Sequence, residues 1–316
     1  MIITFTPNPS LDRTISLDTL ERGGVHRANS LREDPGGKGV NVSRALAANN
    51  VATLAVLPAG GAMAVQFSAL LDGASVPYAL VDLPGALRTN IALVENDGTT
   101  TKINERGRVS TAADATLMLD EVDAHLSGAH WVVGCGSLPP GMDGSIYTEL
   151  VDRVRAHGVK IAIDTSGEAL GAAIAARPDL VKPNHHELSE YVGRPLPQLS
   201  DVLAAARDVV ASGVETVVVS LGSHGAIAVT ANAAEHAVAN VATPLSTVGA
   251  GDCLLAGWLY AIDSGAHPRD AIATAVRWGS AAVGLPGSSV PGPQDLAPID
   301  VHISVPPLPQ ITMTSD

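Results

Sequence analysis

Two cysteines, Cys135 and Cys253, are all that 316 residues carry. They lie far apart with no Cys-x-x-Cys spacing, which argues against a disulfide framework or a cysteine zinc cage and fits a reducing compartment. Aromatic residues are scarce at 3%, so the core must be built from Ala, Val, Leu and Ile. Charged residues reach only 16% against 46% hydrophobic, a balance that excludes disorder, and the 31 Gly and 21 Pro are too few for a collagen-like repeat. Positive charge is the scarcer sign: 19 Lys and Arg face 32 Asp and Glu, for a net charge of −13. Such a chain repels phosphate backbones and anionic lipid, so neither nucleic acid nor a membrane is an expected partner. Any anionic ligand must be held by a few placed cations and by backbone amides. No apolar run approaches the ~20 residues that cross a bilayer. The start, MIITFTPNPSLDR, lacks a basic segment followed by an apolar one, and a cytoplasmic location is expected.

What is present alternates between strands and helices. Met1–Thr6 is a short apolar run stopped by Pro7 and Pro9, the pattern of a buried strand ending at a loop. Val40–Asn49 has helical spacing, and Val51–Leu57 is an apolar strand. Further on come a helix near Ala113–Leu126, a strand Trp131–Gly134, a helix Ile146–His157 and strands Lys160–Asp164 and Leu180–Lys182. A helix Val202–Ser212, strands Thr216–Leu221 and Ala226–Thr230, and helices opening at Gly251 and around Pro268–Gly284 complete the series. The expected architecture is α/β, a doubly wound, mainly parallel sheet flanked by helices. Two stretches break the alternation. Ile15–Arg32 turns at Gly23-Gly24, and Arg88–Glu105 turns at Asn96-Asp97-Gly98; both read as hairpins without helices of their own. Paired, they would make a small β-sheet lid. The reading is therefore one domain over residues 1–303, with lid segments 13–33 and 88–106, and a poorly ordered tail at 304–316.

Two glycine-bearing segments carry the sharpest chemistry. Ser246-Thr247-Val248-Gly249-Ala250-Gly251-Asp252 precedes an apolar helix, so its amides can converge on an anion at a helix N-terminus. Asp252 there is either a helix cap, the commoner role, or a base that accepts a proton from a substrate hydroxyl. Asp34-Pro35-Gly36-Gly37-Lys38-Gly39-Val40-Asn41-Val42-Ser43-Arg44-Ala45 offers close backbone approach, a point charge at Lys38, and at Asn41 both a donor and an acceptor for sugar hydroxyls. It is not a Walker A loop, since Gly39 follows Lys38 and Arg32 holds the earlier glycine position. A dinucleotide fingerprint fails too, with Leu254 at its third glycine.

Three strand ends add weaker signals. Asn184 and Glu187 in Lys182-Pro183-Asn184-His185-His186-Glu187 could contact hydrated magnesium or cap a helix. Ser220-Leu221-Gly222-Ser223-His224-Gly225 could meet nucleotide phosphates or be a turn, and Gly134 to Gly141 is similar. His185 and His186 read as solvent-facing, since no His follows at i+4. Cys253, just inside a helix start, is either a thiol of lowered pKa whose oxidation would disturb Asp252 or, more commonly, a packed residue.

Together these segments resemble the ribokinase-like carbohydrate kinase (PfkB) family. Both family signatures are present, Gly36 to Ala45 and Ser246 to Asp252, in the right order about 200 residues apart. The similarity runs from Ile2 to about Gly287 and includes Thr6 to Asp12, Gly136 to Gly141 and Lys182 to Leu188. Within the family the chain resembles the hexose-phosphate branch, and its lid stretch with Lys38 looks most like bacterial 1-phosphofructokinases. The resemblance implies that Asp252 is the general base and that the amides of Gly249, Ala250 and Gly251 stabilise the transferring phosphoryl. It implies that Asp12, Gly37, Asn41 and Ser137 hold the sugar, and Lys38, Arg88 and Lys102 its phosphate. Lys182, Asn184 and Glu187 would serve ATP and magnesium, with Asn184 and Glu187 acting through water, and Ser220, Gly222 and Gly225 the nucleotide phosphates. In some relatives carbonyls matching Ser246, Val248, Ala282 and Gly287 hold a monovalent cation; residues 283–290 depart from that pattern, so potassium is a candidate only. The implied reaction is ATP-dependent phosphorylation of O6 of fructose 1-phosphate. Alternatives are a 6-phosphofructokinase, a tagatose-6-phosphate kinase, and a non-catalytic sugar-phosphate-binding regulator. A homodimer through the lid is also implied.

Overall fold

Strand β1 (Ile2–Phe5) is buried along its whole length, and its side chains divide between two layers: Ile3 and Phe5 face one, Ile2 the other. A strand covered on both faces reads as a continuous apolar run, which is why this one was legible. The computed structural model describes residues 1–85, 87–241, 243–304 and 310–313. After β1 come β2 (Ser10–Leu17), β3 (Ser30–Gly36), α1 (Lys38–Ala48), β4 (Thr53–Ala59), α2 (Gly61–Gly73), β5 (Tyr78–Asp82), β6 (Arg88–Glu95) and β7 (Thr100–Asn104). The second half runs α3 (Ala112–Ala124), β8 (Trp131–Cys135), α4 (Ser145–Ala156), β9 (Lys160–Asp164), α5 (Gly167–Ala175), β10 (Leu180–Val181), α6 (His185–Val192), α7 (Leu199–Ala211) and β11 (Thr216–Ser220). It ends with β12 (Ala226–Thr230), β13 (Ala234–Ala239), α8 (Ala250–Asp263), α9 (Pro268–Val283), α10 (Pro293–Leu296) and β14 (Val301–Ser304).

Ten strands form one sheet in the order β14-β13-β12-β11-β10-β9-β8-β1-β4-β5. The pairings from β5 to β11 are parallel and those from β11 to β14 antiparallel. Residues of α3, α4, α5, α6 and α7 pack on the face that holds Ile3, Phe5, Val132 and Ile161. The other face, with Ile2, Val133 and Ala162, packs against α1, α8 and α9. The expected doubly wound core is the one observed. Strand order reverses between β1 and β8, and in open α/β sheets the crevice at the carboxyl ends beside such a reversal is the ligand site.

The lid is a separate four-stranded sheet, β3-β2-β6-β7, joining the two expected hairpins through a parallel β2–β6 pairing. It is longer than expected, because β2 begins at Ser10 and β3 runs to Gly36, directly into α1. Strand alternation gives it two unlike faces. Asp12, Asn90, Arg88 and Lys102 share one; Ile15, Leu31, Leu93, Ile91 and Ile103 share the other.

The tail departs from expectation in part. Ser304 belongs to β14, and Thr312 bridges to Gln198 with Met313 buried, while residues 305–309 and 314–316 lie outside the described residues.

Gly225 shows the packing limit at the β11–β12 turn. Its φ of 80° with ψ of −127° suits glycine, and a Cβ there would stand 2.0 Å from the Ala237 carbonyl oxygen. Gly158 has φ of 69° but open space around it. Gly225→Ala should therefore lower stability by about 2 kcal/mol or more, and Gly158→Ala by roughly 1 kcal/mol. Urea midpoints check this; equal losses would contradict the close approach at Gly225.

Candidate active site

The site gathers at the carboxyl ends of β1, β8, β9 and β10, under the lid. Its deepest member is Asp164, the last residue of β9, fully buried. An isolated carboxylate there would be costly, and two lysines answer it. Lys38 Nζ, from the start of α1, donates to Asp164 Oδ1 at 2.8 Å, and Lys182 Nζ lies 3.3 Å from Oδ2. Burial alone would raise the Asp164 pKa, but Lys182 and Lys38 hold it below the usual carboxylate value. Gly136 completes the floor: its amide donates to the Asp164 carbonyl at 2.8 Å, and its own carbonyl accepts from Tyr147 and Thr165.

Asp252 sits in the first turn of α8, buried at 7% exposure. Asn41, in the first turn of α1, donates through Nδ2 to Asp252 Oδ2 at 2.9 Å. Oδ1 has no hydrogen-bond partner among the described residues, so one carboxylate oxygen is fixed and the other is available. Burial pushes the Asp252 pKa up to about 6. Lys38, the Asn41 hydrogen bond and Lys182 act against the rise, and Asp164 adds to it. Among the described residues the Asp252 carboxylate accepts no backbone N–H of the first helical turn, so it does not cap α8. The helix is capped instead by Gly249, in left-handed conformation at φ of 79°.

Of the three amides expected to line an anion hole, those of Gly249 and Gly251 have no partner among the described residues. Ala250 N–H is directed back to the Thr247 carbonyl at 3.3 Å. The amides left without partners among the described residues are those of Gly249, Gly251 and Asp252. A Cβ at Gly251 would lie 3.6 Å from Lys182 Nζ, so that cation flanks the helix start.

The three cations expected around the sugar phosphate are divided. Lys38 lies among carboxylates, with Glu187 Oε1 at 3.8 Å besides Asp164, though a third of its side chain (34%) remains exposed. Burial lowers its pKa, but Asp164, Asp252 and Glu187 together raise it, so it stays charged. Arg88 and Lys102 are on the lid face with Asp12. Arg88 Nη1 donates to the Glu105 carbonyl, Nε has no partner, and Lys102 is exposed on the outer strand. Asp12 accepts from Ser10 Oγ at 2.7 Å and Asn90 Nδ2 at 3.0 Å, and burial raises its pKa despite these bonds. Its carboxylate lies over Gly36, where a Cβ would stand 2.3 Å away; this explains the first glycine of the Gly36-Gly37 pair. Gly37 precedes α1 at φ of 114°. Ser137 is exposed beyond β8.

Asn184 and Glu187 form a capping box on α6: Glu187 N–H donates to Asn184 Oδ1 and Asn184 N–H to Glu187 Oε2, both at 2.8 Å. The capping alternative is thus present, yet Glu187 Oε1 is directed toward Lys38 and remains available. Ser220 bridges to Asn184, bringing the turn at Gly222 beside this box, while Gly225 is fixed by its packing on β13. His186 is exposed, but His185 is not: it hydrogen-bonds the Leu196 carbonyl at 2.8 Å. Cys253 is fully buried, and burial pushes its thiol pKa up, the reverse of the helix-start effect. Cys135 is shifted in the same direction for the same reason.

Sequence reasoning missed Asp164, Arg44 and the orphaned polar atoms Thr6 Oγ1, Asn8 Oδ1 and Asn90 Oδ1, which are buried without partners. Buried polar atoms without partners are uncommon in folded proteins; Thr6 and Asn8 follow β1, and Asn90 is on the polar face of the lid. The available signal was a charged residue ending or interrupting an otherwise buried element, as at Asp164 and Arg44.

Comparison with known proteins places the chain in a family. The family described as pfkB family carbohydrate kinase matches residues 6–295. The 1-phosphofructokinase of Rhodobacter capsulatus is 38% identical over 318 residues, 98% of this chain and 99% of its own. The ATP-dependent 6-phosphofructokinase isozyme 2 of Escherichia coli (strain K12) is 34% identical over 306 residues, 96% of this chain and 99% of its own. The crystal structure of phosphofructokinase-2 from Escherichia coli in complex with potassium has a TM-score of 0.88 at 33% identity, covering 94% of this chain and 96% of that one. The similarity runs through both glycine-bearing segments and along nearly all the sequence: the chain belongs to the pfkB family of carbohydrate kinases and is a sugar-phosphate kinase with a ribokinase-like fold.

Proposed function

We propose that the chain transfers the γ-phosphoryl of ATP to O6 of fructose 1-phosphate, giving fructose 1,6-bisphosphate. The observation that carries the chemistry is Asp252: a buried carboxylate with one oxygen held by Asn41 and the other free, beside unpartnered amides. The sugar is chosen on the 1-phosphofructokinase relatives and on the lid stretch. As reaction begins, the O6 proton passes to Asp252 Oδ1 and O6 attacks the γ-phosphorus. The bond from that phosphorus to its bridging oxygen breaks and ADP leaves, after which Asp252 gives the proton to solvent. In this reading the unpartnered amides of Gly249, Gly251 and Asp252 stabilise charge on the transferring group. Lys38 and Lys182, held by Asp164, supply positive charge on either side of it. Asp12, Gly37, Ser137 and the second N–H of Asn41 hold the sugar; Arg88 and Lys102 hold its existing phosphate. Ser220 and Gly222 meet the nucleotide phosphates.

Magnesium prefers oxygen donors. Glu187 Oε1, left free by the capping box, fits, with Asn184 beside it. Bound there through water, the ion would neutralise phosphate charge. Potassium is retained as a candidate activator because the stretches named for it are neighbours, with Leu245 N–H and Ser246 N–H both on the Val283 carbonyl. Among the described residues no helix is long and apolar enough to cross a membrane, and a cytoplasmic site of action is our reading. The apolar lid face, with Leu31 57% and Ile103 54% exposed, supports a homodimer through the lid.

Purified protein given Mg·ATP and each sugar phosphate should show the largest kcat/KM with fructose 1-phosphate; a much larger value with fructose 6-phosphate or tagatose 6-phosphate would reject that choice. The kcat/KM profile should be flat above pH ~6 and fall about tenfold per unit below it, because the base must be ionised. A limb near pH 4 would contradict the burial of Asp252. Arg88→Ala and Lys102→Ala should each raise KM for the sugar phosphate about tenfold or more without changing KM for ATP. The opposite pattern would remove them from the sugar site.

A further inference from the structure

Arg44 carries a charge at a buried position of α1, with its side chain 8% exposed, and the mechanism above does not use it. Its Nη1 donates to Asn41 Oδ1 and to the Ser288 carbonyl, both at 3.1 Å, and reaches the Pro35 carbonyl at 3.5 Å. Nη2 lies 3.6 Å from Asp34 Oδ1 on the lid strand β3. Asn41 thus stands between two groups of opposite demand. A carboxamide can turn by 180° and exchange its oxygen for its amino group. Arg44 can only donate, and the ionised Asp252 can only accept. One orientation satisfies both: oxygen toward Arg44, amino group toward Asp252. The other sets oxygen against carboxylate and amino group against guanidinium.

We propose that Arg44 is a positioning residue that locks the Asn41 carboxamide, so that Asp252 Oδ2 is held by a donor and Oδ1 is the oxygen offered to the sugar hydroxyl. The proposal rests on the reading of Asp252 as the base. It makes Asn41 the middle of a relay, Arg44 to Asn41 to Asp252, rather than a sugar ligand alone. The four contacts of Arg44 also tie Pro35 and Asp34 at the foot of the lid and Ser288 beyond α9 to the same guanidinium. A purely structural role would stop there, with loss of stability as its only consequence.

The two roles differ in their effect on proton affinity. Without Arg44 the carboxamide oxygen loses the donor that fixes it, and the Asn41 bond that favours the charged form of Asp252 weakens. The other groups facing Asp252 are Lys38 on α1, Asp164 at the end of β9 and Lys182 after β10, with Glu187 beyond Lys38 and Cys253 next to it in α8. Arg44 makes no hydrogen bond to any of them among the described residues.

The experiment is the pH dependence of kcat/KM for wild type, Arg44→Lys and Arg44→Met, with thermal melting of each. Arg44→Met should move the acid limb upward by about one pH unit, an approximately tenfold loss below the limb. Activity should recover toward wild type at high pH, where Asp252 is ionised in any case, and KM for ATP should be unchanged. Arg44→Lys keeps the charge but can serve only some of the four partners, so its limb should move the same way by less. If Arg44→Met fails to fold, Arg44→Lys decides. Folded variants whose acid limb stays where wild type has it overturn the proposal, whatever their melting temperatures. A wild-type profile with no acid limb would instead remove Asp252 as the base, and the two failures are thereby distinguished.

Discussion

The carboxylate of Asp164, buried at the end of β9 between two lysines, is the interaction on which the site depends. In a chain of net charge −13, cations are few and must be held where they are needed. Asp164 does this for Lys38 from α1 and Lys182 from the end of β10, elements far apart in sequence. Removing the carboxylate would leave buried Lys182 without a salt-bridge partner among the described residues and take from Lys38 its nearest counter-charge, and breaking a buried pair in this way costs several kcal/mol in comparable cases. With it in place, positive charge flanks the start of α8, where the free amides and Asp252 are. The same cluster sets the proton affinity of Asp252, the proposed base: burial and Asp164 raise it while the lysines restrain the rise.

The fold supplies this arrangement through one reversal of strand order. Because the chain leaves β1 for β4 and β5 and later returns on the other side to β8, a crevice opens beside β1, and α1 and α8 both begin at it. The lid uses the same place. β2 follows β1 directly and β3 feeds α1, so the lid sheet is continuous with the loop that carries Gly36 and Gly37. Its polar face presents Asp12, Arg88 and Lys102, and its apolar face is left outward.

Much of this was legible in the sequence, for physical reasons that also explain what was not. Strands such as Ile2–Phe5 and Lys160–Asp164 declared themselves because burial on both faces demands apolar runs, and the Asn96-Asp97-Gly98 turn announced the second hairpin. β13 did not, since Glu235 and His236 are buried in it although polar. α2 also escaped: only Phe67 and Leu71 are buried, and the helix lacks a polar face to make a pattern. Within the site, the two glycine-bearing segments and Asp252 could be found from local spacing. The pairing of Lys38 with Asp164, and the commitment of Asn41 to Asp252 and Arg44, depend on contacts between distant segments. Local spacing could therefore place Lys38 only as a free phosphate-binding cation, whereas the fold sets it among three carboxylates.

The central claim is that Asp252 is positioned as a base rather than as a cap, and it is tested most directly by phosphoryl transfer in Asp252→Asn with binding measured on the same protein. The account predicts that calorimetry finds ATP and sugar phosphate bound with near wild-type affinity while kcat falls about a thousandfold or more. Near-normal turnover, with the amide standing where the carboxylate was, would contradict it.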